Sequence, residues 1–169
     1  GIIHSGNVFS SWSRDGKWIY FGSNQSGKDQ VWKVPTGGGE PVQITKQGGS
    51  PGVESPDGRF IYYTLGGVEG SNTELRRVPV EGGEEVRIIE SVCSQGFDVA
   101  ERGIYFFSSC ENPSVQRFDF ATRRVETVAK VEGGVAYGFS VSPDGRWLLY
   151  AAYDNAREQS DLMMVEKFR

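Results

Sequence analysis

Few side chains in this sequence could do chemistry, and their surroundings narrow what that chemistry could be. His4 is the only histidine. A nucleophile–histidine–carboxylate relay would have to run through it, yet no nucleophile elbow stands anywhere in the chain. His4 therefore reads as an exposed loop residue, and no catalytic residue is expected. The glycine runs Gly37-Gly38-Gly39 and Gly66-Gly67-Val68-Glu69-Gly70 lack the Gly-x-Gly-x-x-Gly or Gly-Lys-Ser setting that opens a helix toward a phosphate. They read as hairpin turns. Two cysteines fall short of the four ligands of a structural zinc site, so neither metal nor cofactor is expected.

The cysteines suggest something else. Glu101-Arg102 is the turn of a hairpin, and strict pairing about it matches residues whose numbers sum to 203. Cys93 and Cys110 satisfy that sum. They face each other or sit one step diagonal. An oxidising compartment would join them in a cross-strand disulfide, and a reducing one would leave two neighbouring, partly buried thiols.

Glu54 is the residue that breaks a pattern. The equivalent positions in the other copies of the motif below are Trp12, Val99 and Val141. A carboxylate there could meet a cation or a partner's basic side chain. The plainer reading is a partly solvated acid beside Arg59 or another cation, since buried acids are rare unless paired.

The motif is Ser10-Ser-Trp-Ser-Arg-Asp-Gly-Lys-Trp-Ile-Tyr-Phe21. It returns as Gly52-Val-Glu-Ser-Pro-Asp-Gly-Arg-Phe-Ile-Tyr-Tyr63 and as Phe139-Ser-Val-Ser-Pro-Asp-Gly-Arg-Trp-Leu-Leu-Tyr150. A third copy, Phe97 to Phe107, lacks the Asp-Gly. Trp18, Phe60, Gly103 and Trp147 align at intervals of 42, 43 and 44 residues. A fixed period of this size marks an array of supersecondary units.

Each unit reads as four antiparallel strands. In the first, Ser10–Ser13 and Trp18–Gly22 flank an Asp-Gly hairpin, followed by Gln30–Val34 and Pro41–Thr45. The unit boundaries fall near 8–45, 46–89, 90–129 and 130–169 within one domain. The fourth unit lacks a last strand, while Ile2-Ile3 at the front matches one. Runs such as Trp18–Phe21 and Trp147–Tyr150 are apolar at every position, which requires cover on both faces. Sheets packed face to face around an axis provide it, so the fold class is all-β, a β-propeller of four four-stranded blades. A β-sandwich explains the strand count but not the period. Trp12, Trp18, Trp32 and Trp147 are expected to pack between blades. Asp15, Asp57 and Asp144 are expected to hold turn backbone.

The phrases Trp12–Phe21 and Ser142–Tyr150, with Gln30–Thr45, resemble the TolB-like, WD-repeat-like propeller repeat over nearly the whole chain. The resemblance implies a bacterial propeller, often periplasmic or otherwise extracytoplasmic. It also implies one that binds proteins or sits beside a catalytic or DNA-binding domain. The closing segment, Asp161 to Arg169, resembles the end of long proteins with such repeats behind an N-terminal regulatory domain. Such propellers commonly have six to eight blades. Four leave three solutions: self-closure with Ile2-Ile3 as a clasp, a homodimer of eight blades, or an open array.

The net charge of −4 disfavours nucleic acid and anionic membranes as partners, and no apolar run could insert as a helix. A binding face is expected from polar loops, with Glu54, Gln95, Tyr137 and Tyr153 as its candidate residues. The leading expectation is a non-catalytic scaffold engaging a protein or a polar ligand. The alternatives are the accessory propeller of a prolyl-oligopeptidase-like hydrolase and a propeller enzyme with a site in its channel.

Overall fold

A computed structural model of the chain describes residues 10–50, 52–65, 70–131, 134–154 and 159–166. His4 and the Ile2-Ile3 clasp lie outside them. All described regular structure is β. The first sheet pairs β1 (Ser10–Trp12), β2 (Trp18–Ser23), β3 (Gln30–Pro35) and β4 (Val42–Gln43) in sequence order. The second pairs β5 (Gly52–Glu54), β6 (Phe60–Thr64), β7 (Asn72–Pro79) and β8 (Val86–Cys93). The third pairs β9 (Phe97–Ala100), β10 (Gly103–Phe107), β11 (Ser114–Asp119) and β12 (Val125–Lys130). The fourth has three strands among the described residues: β13 (Gly134–Val141), β14 (Trp147–Asp154) and β15 (Gln159–Glu166). Consecutive antiparallel meanders of this kind are propeller blades.

The chain forms two compact units. One holds the described residues of 1–66 and 73–90, the other those of 67–72 and 91–169. The first is cored by Tyr20, Val31, Ile44, Ile61, Tyr63 and Val78. The second is cored by Tyr105, Phe107, Val115, Leu148 and Tyr150, with their neighbours.

The repeated turn is a four-residue loop, Arg14 to Lys17 in the first copy, between the ends expected at Ser13 and Trp18. Its anchor is a serine. Ser13 N–H donates to the Trp18 carbonyl at 2.9 Å. The Ser13 hydroxyl donates to Asp15 Oδ1 at 2.7 Å and accepts from Trp18 N–H at 2.9 Å. Ser55 with Asp57 and Ser142 with Asp144 repeat the arrangement at 2.6 Å each. Gly16, Gly58 and Gly145 close the loops at φ near +70°, where any side chain is disfavoured.

These bonds hold all three carboxyls below the usual carboxylate range. The leading cause is the Lys17 backbone N–H for Asp15, the Ser55 hydroxyl for Asp57 and the Ser142 hydroxyl for Asp144. A depressed folded-state pKa contributes stability that is present above the unfolded carboxylate value, near about 3.9. It is lost as pH falls through the lower folded value. Replacing all three with asparagine is therefore expected to flatten the fall of Tm between about pH 5 and pH 2. Thermal melts across that range check it, and parallel curves for both proteins refute it.

Burial departs from the both-faces rule in one sheet. All five residues of β10 are buried, and four of five in β6. In β14, Leu148 is fully buried while Leu149 is 38% exposed. The cross-strand pairing of Leu149 with Met164 and Ala151 with Leu162 puts these on one face, which stays open, Leu162 being 71% exposed. Trp147 is half-buried, not central to the core, and Trp12 is 66% exposed at the end of β1. The last strand of the first sheet is shorter than expected. Ile44 and Thr45 N–H both bond to the Val31 carbonyl, and the Thr45 hydroxyl takes the Val31 N–H at 2.8 Å. A side chain thus replaces the ladder there.

Candidate functional site

Two recesses collect the polar residues of interest, one in each compact unit. The first, about 450 Å³, is lined by Arg14, Trp18, Tyr20, Lys33, Glu54 and Glu81 among others. Glu54, 6% exposed, ends β5. Its Oε1 accepts from the Tyr20 hydroxyl at 2.8 Å, and its Oε2 accepts from the Arg14 backbone N–H. Burial, then the bond to Glu54, pushes the Tyr20 hydroxyl well above the usual phenol range. Arg59 is not its partner: Arg59 Nε donates to Asp57 Oδ2 at 2.8 Å. Lys33, also buried, donates to the Val80 carbonyl at 2.8 Å, pairs with Glu81 at 3.0 Å, and lies 4.5 Å over the Trp18 ring. Both buried charges are thus spent on the protein's own groups, as buried charges must be.

Lys33 belongs to a row the sequence reading missed. Register pairs it with Tyr20, Arg77 with Tyr62, and Arg117 with Tyr105. Arg77 lies 4.4 Å over Phe60 as Lys33 lies over Trp18, each a cation–aromatic contact. The third sheet has glycine at the aromatic position. A Cβ on Gly103 would overlap the Phe118 carbonyl, and the Arg117 stem lies 3.3 Å from that point. Arg117 instead reaches toward the Tyr105 ring and pairs with Glu126 and Asp119.

The second recess, about 160 Å³, is lined by Cys93, Gln95, Phe107, Cys110, Glu111 and Tyr153 among others. Cys93 and Cys110 form a disulfide with Cα atoms 4.8 Å apart. The register about Glu101-Arg102 that pairs Ala100 with Gly103 and Val99 with Ile104 is the one expected. The Cys110 N–H donates to Asn72 Oδ1 at 3.1 Å, and Asn72 Nδ2 donates to Ser91 Oγ at 3.2 Å, fixing the covalent bridge to the end of β8. Gln95, in the turn between β8 and β9, has a left-handed backbone with φ 65°, strained for a residue other than glycine. Its side-chain Oε1 is buried with no hydrogen-bond partner among the described residues. Phe107 forms the floor, edge-on to Phe139 and Tyr150 at 4.7 and 5.5 Å. Tyr153 stands half-exposed at 49%. Of the four expected surface residues, this recess brings Gln95 and Tyr153 together. Glu54 lies in the other recess. Tyr137 lies in β13, in the stretch between Val135 and Phe139 where the pairing with β14 shifts register.

No family model matches the chain, and no curated protein matches it. Solved structures do. TolB from Acinetobacter baumannii superposes with a TM-score of 0.78 at 17% identity, over 95% of this chain and 41% of that one. The putative TolB from Agrobacterium tumefaciens gives 0.72 at 20% identity, over 97% and 64%. The fold is that of a TolB-like β-propeller. A prolyl endopeptidase structure also matches, with a TM-score of 0.60 at 14% identity, over 95% of this chain and 27% of that one. At such identities the likeness is one of fold. This TolB-like propeller spans less than two thirds of the length of either TolB chain.

Proposed function

We propose that the chain is a non-catalytic binding module that docks a segment of a partner protein at the recess beside the Cys93–Cys110 disulfide. The observation that carries this is Tyr153, 49% exposed, at the rim of a recess that Phe107 also lines. A half-exposed tyrosine beside a buried floor is the usual anchor of a recognition surface. In the Glu54 recess each carboxylate oxygen already has a donor. The disulfide supports an oxidising, extracytoplasmic compartment, because the cytosol keeps thiols reduced.

A displayed peptide library selected on the whole chain tests the reading. Peptides are expected that bind the wild type at least about tenfold more tightly than Tyr153→Ala, the effect of losing an aromatic anchor. If no selected peptide distinguishes the two proteins, the recess is not the docking site.

A further inference from the structure

We infer that two turns at one end of the third sheet form a docking surface for an acidic segment of a partner protein, read by Arg102, Arg123 and Arg124. This surface does not rest on the disulfide recess. β10 runs from the Glu101-Arg102 turn to Phe107, which lines that recess, so the two stand at opposite ends of the sheet.

The third repeat departs from the first two twice, and each departure leaves an arginine free. In the first two sheets the inner turn carries an aspartate that pairs with the cation after the glycine. Lys17 meets Asp15 at 3.3 Å and Arg59 meets Asp57 at 2.8 Å. The turn Glu101-Arg102 has no aspartate, and Arg102 is exposed. The second departure is in the turn between the third and fourth strands. Gly38 and Gly82 close it in the first two sheets, each donating its N–H to a proline carbonyl, at φ 88° and 82°. In the third sheet the closing N–H belongs to Arg123, which donates to the Asp119 carbonyl at 2.8 Å and has φ 58°. Left-handed backbone suits glycine and is disfavoured for arginine. A residue held there at a local cost points to a use for its side chain.

The two turns are neighbours. Phe120 N–H donates to the Arg102 carbonyl at 3.1 Å, and Asp119 N–H donates to the Arg124 carbonyl at 2.9 Å. The three arginines are exposed, and among the described residues no ion pair holds them. Asp119 is engaged by the Ala121 and Thr122 N–H groups and by Arg117, and Glu126 pairs with Arg117. That leaves Glu101 as the free carboxylate of these turns. The Asp119 cap fixes the backbone that carries Arg123 and Arg124 before a partner arrives, which lowers the cost of binding. Guanidinium forks match carboxylates two N–H groups at a time, and arginine clusters are a recurring reader of acidic motifs. Three arginines in one place fit a short run of aspartate or glutamate. A nucleic acid extends its charge along a strand and needs a longer basic track, which a chain of net charge −4 opposes.

The probe is a hexaglutamate peptide, titrated into the whole oxidised chain at low ionic strength and followed by backbone amide shifts. It is expected to shift Arg102, Thr122 and Arg124 saturably. Arg102→Gln, Arg124→Gln and Arg123→Gly should each weaken binding about threefold, the worth of an exposed ion pair, and about thirtyfold together. Arg123→Gly also relieves the left-handed backbone, so its Tm should hold or rise, and its lost binding cannot be assigned to unfolding. Lys17→Gln and Arg59→Gln, whose charges are spent within their own turns, should change nothing.

A triple variant that binds as the wild type does, or equal losses in Lys17→Gln and Arg59→Gln, overturns the assignment. Tighter binding of an oligothymidylate of the same charge overturns it in favour of nucleic acid. Inorganic phosphate that displaces the peptide where sulfate of equal ionic strength does not overturns it in favour of a free phosphate. Tyr153→Ala should leave hexaglutamate binding intact, so failure here and failure of the recess are distinguishable.

Discussion

Replacing Cys93 and Cys110 together with serine is expected to destabilise the protein by about 3 kcal/mol, the loop-closure value for cysteines spaced near fifteen residues apart. They are 17 residues apart in sequence, and the segment between them contains β9 and β10 in full. The bridge therefore restrains a whole hairpin in the unfolded chain. Cys93 is buried within the second unit's core and Cys110 packs against it, so the serine hydroxyls would also lack the apolar contacts of sulfur. Urea melts of the oxidised wild type and the double variant give the difference directly. Coincident midpoints would show that the bridge contributes nothing. Reductant should move the wild type toward the variant and leave the variant where it is. The recess should lose its shape in parallel, because Cys93 and Cys110 are two of its walls.

The second large effect is a contrast between neighbours. Leu148→Ala is expected to cost about 3 kcal/mol, within the range for a buried leucine, and Leu149→Ala less than about 1 kcal/mol. The residue type is the same and the positions are adjacent in β14. One side chain is fully buried among Tyr105, Val141 and Tyr150, the other faces solvent beside Met164. Equal losses for the two would mean that the face of Leu149 is covered in solution.

This contrast also marks where the sequence stops being readable. The repeat period, the Asp-Gly turns and the alternation of apolar runs point to strands, and β2 occupies Trp18–Ser23 where Trp18–Gly22 is read. The hairpin about Glu101-Arg102 keeps its register as far as the Phe97–Phe106 pair, and the turn closed by Gly96 N–H on the Cys93 carbonyl then brings Cys93 to Cys110. An apolar strand, however, carries no record of whether a neighbour covers it. Trp147-Leu-Leu-Tyr150 reads like Trp18-Ile-Tyr-Phe21, yet Leu149 is open where its counterpart Tyr20 is buried. The row of Lys33, Arg77 and Arg117 was missed for a related reason. Each is an ordinary charged residue on its own strand, and only the cross-strand pairing puts it against an aromatic ring. Gln95 was picked out for lying in a polar loop. Nothing local predicted its left-handed backbone or its buried oxygen.

The third repeat's glycine bears on exchange between repeats. At Trp18 and Phe60 a ring and a cation share the space, but at Gly103 the Phe118 carbonyl and the Arg117 stem occupy the ring's place. Arg117 keeps the cation position of the row and takes Glu126 and Asp119 as its partners. A strand grafted from either of the first two sheets would drive its ring into that carbonyl, so the third blade cannot take a spare part from its neighbours.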